Sequence, residues 1–169
     1  FSLCETMTGR KNKQIRKDSL YLIRFHTPMH QGIDRRLEEY VEEEIIPRYR
    51  SFDAAHREDH ARTVIEGSLG LAGHYDVDRD MLFAAAAYQD TGLAEGRKFH
   101  HLASGRIIRE DARLGEWFTP EQVETIAQAA EKIGVSYARM SQMEHGQVTE
   151  RQSAVILAML EKLAVQRRS

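Results

Sequence analysis

The run Met81-Leu82-Phe83-Ala84-Ala85-Ala86-Ala87-Tyr88 constrains the fold more than any other part of this chain. Alanine has the highest helix propensity of any residue, and a helix without a polar face must be wrapped by neighbours on all sides. The run therefore predicts a central helix over Arg79–Tyr88, capped by Asp78. Directly after it, Gln89-Asp90-Thr91-Gly92 puts a carboxylate at the helix end and a glycine where the backbone must turn away.

The surrounding sequence supplies the wrapping helices. Asp34 is a plausible N-cap, and Leu37, Tyr40, Val41 and Ile45 recur at helical spacing until Pro47 stops the run. Glu38, Glu39, Glu42, Glu43 and Glu44 fall largely on its other face. A second helix is predicted from Arg57 to Gly73, with His60, Val64, Gly67 and Leu71 on one stripe. Another is predicted from His100 to Arg113. Thr119-Pro120-Glu121-Gln122 combines a capping threonine, a first-position proline and an acidic first turn. Helices over 121–132, 136–145 and 150–166 follow from the same patterning. No sheet pattern or repeat is present, so the fold class is all-α. Three parts are distinguished: a basic N-terminal segment over 1–31 in which only Leu20–Ile23 could pair or dock, a helical domain over 32–130, and a C-terminal segment over 131–169.

Charge and cysteine usage narrow the function classes. Residues 37–130 carry ten basic and nineteen acidic groups, whereas residues 1–36 carry eight and three. Basic ends can favour nucleic acid, but the N-terminal basic run is read as a solvated tail. The single cysteine, Cys4, has no internal partner for a disulfide, which fits a cytoplasmic chain. No apolar run reaches the roughly 18–20 residues of a membrane span, so no membrane partner is expected.

The chemistry-bearing residues cluster around the central helix. Metal-assisted phosphate chemistry needs nitrogen and carboxylate donors on rigid elements, with positions open to water and substrate. His60 on the second helix and Asp90 at the end of the third can meet if those helices pack side by side. His101, favoured over His100, would enter from the next helix. Asp53, His56 and Asp59 are close enough in sequence to orient a ligating imidazole.

These residues resemble the HD superfamily of metal-dependent phosphohydrolases over about 33–130. The stretch from Phe52 to His60 is similar to the family's opening motif, whose last histidine is a ligand. Ala87-Tyr88-Gln89-Asp90-Thr91-Gly92 resembles the His-Asp doublet, and His100-His101-Leu102-Ala103-Ser104-Gly105 resembles the downstream histidine segment. The resemblance implies an HD-domain-like helical bundle. It implies His60, Gln89, Asp90 and His101 at the metal, with Asp90 and His101 catalytic. The metal would be a divalent ion: Mn, Fe, Mg, Ni or Zn. The substrate would be a phosphorylated small molecule or nucleotide, with His100, Arg97 and Lys98 near its phosphate. Two positions depart from the family pattern. Gln89 replaces the doublet's histidine with a neutral amide, and the closing aspartate has no counterpart after Ala130. These departures weaken the site and point toward a pseudoenzyme.

The C-terminal part carries a second pattern. Thr125–Ser136 reads as a helix, a tight turn at Gly134 and a new helix capped by Ser136, with Ile133 and Val135 between the two. It resembles Xre/Cro-like helix-turn-helix segments over about 121–165, with Ser136–His145 as recognition helix. Tyr137, Arg139 and Gln142 would face duplex DNA. The alternative function is thus a non-enzymatic DNA-binding regulator or antitoxin-like protein, working as a homodimer, with the final apolar segment Val155–Leu160 and Leu163 either closing the small domain or forming a dimer contact.

Overall fold

The computed structural model describes residues 30–140 and Leu163. The chain divides into two compact units, Phe1–Gln31 and Gly32–Ser169, and everything below concerns the second. Leu20–Ile23, Gln142 and nearly all of the expected 150–166 helix lie outside the described residues. The fold is all-α: no strand occurs among the described residues. None of the described helices is long and apolar enough to cross a membrane.

Helix α1 (Arg35–Tyr40) starts where Asp34 accepts hydrogen bonds from the amides of Arg36 and Leu37. Its continuation changes pitch twice. Val41–Ile45 is a π turn, with the Ile46 amide bonded to the Val41 carbonyl, and Ile46–Ser51 is a 3₁₀ helix. The cause is Pro47, which lacks the amide for a regular i→i−4 bond and crowds the carbonyl four residues back. The rod widens before the proline and tightens after it, instead of ending there. As a result the adjacent Ile45 and Ile46 are both buried, and so is Tyr49. Among the glutamates of this rod, Glu38 is buried rather than solvated.

Helix α2 (Glu58–Ala72) buries Ala61, Val64, Ile65, Ser68, Leu69 and Ala72. This stripe is turned from the expected one: Gly67 faces solvent and His60 sits at the border of the apolar face. Helix α3 (Arg79–Tyr88) is the predicted central helix. Asp78 caps it, and every residue from Met81 to Tyr88 is buried. The starts of α1 and α3 are tied together by the Asp34 amide donating to Asp80 Oδ1 at 2.8 Å.

Helix α4 (His100–Glu110) is shorter than predicted, because Asp111 opens a separate 3₁₀ turn over Ala112–Glu116 and caps it through the Arg113 amide. Helix α5 (Pro120–Met140) begins with a reciprocal capping box. The Gln122 amide donates to Thr119 Oγ1, and the Thr119 amide donates to Gln122 Oε1. The helix then runs on for 21 residues. The turn expected at Gly134 is absent, and so is the new helix start at Ser136; the single helix carries Tyr137 and Arg139 as well. It also crosses the 130/131 boundary drawn from the sequence. A lone glycine costs a helix interior only about 1 kcal/mol, too little to break a helix whose earlier turns are anchored. Residues Ile126, Ala127, Ala129 and Ala130 provide that anchor, being fully buried. Leu163, helical and buried, belongs to the same core.

Candidate functional site

The site is built around the end of α3. Tyr88 closes the helix and Gln89 is its C-cap; Asp90 then precedes a 3₁₀ turn over Thr91–Glu95. Asp90 is thereby presented from a short irregular segment between two helical ones. Its carboxylate faces two imidazoles from different helices. His60 Nε2, from the first turns of α2, stands 3.5 Å from Asp90 Oδ2. His100 Nε2, from the start of α4, stands 3.6 Å from Asp90 Oδ1. The three side chains are partly shielded, at 24%, 13% and 15% exposure for His60, Asp90 and His100.

Gly92 brings the third residue in. A Cβ on Gly92 would lie 2.0 Å from the His100 carbonyl oxygen and 2.6 Å from the Ser104 amide nitrogen. The 3₁₀ turn is thus pressed against the backbone of α4, and only a residue without a side chain permits that approach. The sequence favours His101 as the partner of Asp90, yet the structure pairs Asp90 with His100. Neighbouring positions on a helix point about 100° apart, so only one of the two can face the carboxylate. His101 is turned beside Phe99, with ring centroids 6.5 Å apart. Partial burial, aided by neighbouring His100, shifts the His101 imidazole below its ordinary pKa.

A second group adjoins the first. His56 Nδ1 and Asp53 Oδ1 are 2.9 Å apart, and the His56 ring meets the His60 ring edge-on at 5.6 Å. Arg97 is ion-paired with the other oxygen of Asp53, while its carbonyl oxygen lies 2.9 Å from His100 Nδ1. The hydrogen bond from His56 holds the Asp53 carboxyl below its ordinary pKa. His56 thus packs against His60 and Asp53 is bonded to His56, whereas Asp59 is exposed on the first turn of α2. Arg97 is engaged with Asp53 rather than directed at Asp90. Lys98 is exposed, its ammonium 5.2 Å from the Phe99 ring centroid.

Two residues that the sequence reading missed support the Asp90 segment. The Tyr49 hydroxyl donates to the Ala87 carbonyl at 2.8 Å and accepts from the Asp90 amide at 3.3 Å. Ser104 donates to the Gln89 carbonyl at 2.8 Å and accepts from the Gly92 amide at 2.9 Å. Ser104 falls within the His100–Gly105 segment and Tyr49 falls beyond the helix predicted to stop at Pro47, and neither pattern reveals a backbone partner. Gln89 itself is buried.

The donor chemistry suits a divalent cation, since imidazole and carboxylate are the usual nitrogen and oxygen ligands. Separations of 3.5 and 3.6 Å exceed hydrogen-bond length. Among the described residues, however, no group of three or more His, Cys, Asp or Glu side chains is placed to hold a metal ion. Asp90 sits between its imidazoles, forming one histidine–carboxylate pair on each side. Tyr137 and Arg139 lie on the backbone of α5, and Gln142 lies outside the described residues. Comparison of the chain with known family profiles, curated proteins and solved structures finds no match.

Proposed function

We propose that the chain is an HD-type, metal-dependent phosphohydrolase-like protein whose site is centred on Asp90. One observation carries this reading: Asp90 offers one carboxylate oxygen to each of two imidazoles, His60 and His100, from separate helices. In this reading His60, Asp90 and His100 would hold a divalent cation. When bound, such an ion polarises a phosphoryl oxygen and lowers the pKa of a coordinated water. The protein's own contribution is to hold the three donors on rigid elements. In this reading His101 and exposed Lys98, within two residues of His100 in the chain, would meet the substrate phosphate. The ligand class is a phosphate ester, either a phosphorylated small molecule or a nucleotide.

Gln89 sets the strength of the site. Its amide oxygen is a poor replacement for an imidazole, so the proposed affinity is low and turnover slow. The test is calorimetric titration with Mn²⁺, paired with hydrolysis of p-nitrophenyl phosphate and its bis-ester. The chain should take up the ion, and Asp90→Ala should abolish uptake. Gln89→His should bind at least tenfold more tightly, by the usual scale of ligand-shell changes, and hydrolyse faster. If neither the chain nor the Gln89→His variant binds Mn²⁺, the reading fails.

A further inference from the structure

We infer that Tyr49 and Ser104 are positioning residues that fix the Asp90 carboxylate for ion binding. This inference rests on the metal-site reading above. The segment Gln89–Gly92 has left the α3 helix, so its backbone groups have lost their regular helical partners. Two side-chain hydroxyls replace them, each acting as donor and acceptor at once. Tyr49 spans the Ala87 carbonyl and the Asp90 amide, while Ser104 spans the Gln89 carbonyl and the Gly92 amide. The two bridges interleave along the chain at 87, 89, 90 and 92. Asp90 ends one span and lies inside the other, so the backbone that carries its carboxylate is held from both sides.

The origins of the two hydroxyls make the clamp specific to the site. Tyr49 comes from the 3₁₀ continuation of α1 and is fully buried; Ser104 comes from α4, one turn beyond His100, and is also fully buried. Ser104 therefore ties the segment bearing Asp90 to the helix bearing His100. Tyr49 braces that segment from the opposite end of the sequence. Burial shifts the Tyr49 hydroxyl well above its ordinary pKa, with nearby Asp90 adding to the effect.

The test compares Tyr49→Phe and Ser104→Ala with Ser68→Ala. Ser68 is an equally buried hydroxyl, bonded to the Val64 carbonyl inside α2 and remote from Asp90 in its contacts. Mn²⁺ affinity is measured by calorimetry on full-length folded chains, with amide hydrogen exchange at Asp90 and Gly92 followed by NMR. Tyr49→Phe and Ser104→Ala should each weaken Mn²⁺ binding by about tenfold or more. Tyr49→Phe should speed exchange at Asp90 and Ser104→Ala should speed it at Gly92, while Ser68→Ala changes neither affinity nor these rates. Variants that bind Mn²⁺ like the original chain would overturn the positioning role and leave the metal site standing. If the original chain binds no Mn²⁺, the comparison is made in the Gln89→His background; if that variant binds none either, the metal-site reading fails, and this inference with it. A Tyr49→Phe chain that does not fold leaves Ser104→Ala to decide the question.

Discussion

At the scale of single residues, Gly92 and Phe99 bound the site with opposite logic. Gly92 is required because backbone atoms of His100 and Ser104 occupy the space of any Cβ. Neither backbone can shift without displacing the start of α4. Gly92→Ala should therefore cost about 3 kcal/mol, at the upper end of overpacking penalties. Urea denaturation checks this, and a loss below about 0.5 kcal/mol would mean the approach is looser. Phe99 is the only non-glycine residue with positive φ among those described, at 67°, and it is 58% exposed. The left-handed conformation costs a bulky residue roughly 1–2 kcal/mol, and an exposed ring recovers little of that by burial. Phe99→Gly should raise stability by up to about 1 kcal/mol, after the larger entropy loss of glycine on folding. Thermal unfolding should show the midpoint rising by a few degrees; an unchanged or lower midpoint would mean that the ring's contacts with Lys98 and His101 outweigh the strain.

At the scale of elements, α5 shows where a local signal fails. Gly134-Val135-Ser136 has the residues of a turn followed by a cap, and the backbone there is helical. Gly134→Ala distinguishes the two conformations. In a helix it should stabilise by about 0.5–1 kcal/mol, whereas in a left-handed turn alanine would destabilise. Chemical denaturation gives the sign. Other local signals were legible, because a cap needs only partners within three residues. Asp34, Asp78 and Thr119 all act as the caps the sequence predicts. The burial of α3 was equally legible, since four consecutive alanines leave it no polar face. What could not be read was rotation about each axis. The stripe of α2 is turned enough to put His60 at its border, and α4 aims His100 rather than His101 at Asp90. Those phases are set by contacts between helices distant in sequence, as at Gly92. The path beyond Pro47 was hidden for a related reason. A proline tells that a regular helix cannot continue, but not that a π turn and a 3₁₀ turn will carry the rod on to Tyr49.

At the scale of the whole molecule, buried tyrosines make stability depend on alkaline pH. Burial shifts Tyr49 and Tyr88 well above their ordinary pKa, and for Tyr88 the hydrogen bond to Asp111 adds to the shift. Tyr88 and Tyr40 both donate to Asp111 Oδ2, at 2.5 and 2.6 Å. Because the folded protein keeps these protons longer than the unfolded chain, their contribution is fully present below pH about 10 and is lost above it. Unfolding free energy should be insensitive to these groups up to about pH 9. Above pH 10 it should fall by up to about 1.4 kcal/mol per pH unit for each tyrosine. Replacing Tyr88 with phenylalanine should remove its share of that slope. Denaturation midpoints from pH 8 to 11.5 test this, and a slope unchanged by Tyr88→Phe would refute the assignment.

Leu163 sets the order in which this body can be completed. It is buried in the same core as Ile33 and Leu37, so residues from opposite ends of the unit close one apolar interior. A ribosome delivers Leu37 early and Leu163 late. Until that leucine emerges, the nascent helices share an interior with a vacant place in it, the kind of exposed apolar surface that holding chaperones recognise. Closure of this interior therefore waits until Leu163 has been made, and a ribosome stalled after Met140 would present quality control with an unsealed core.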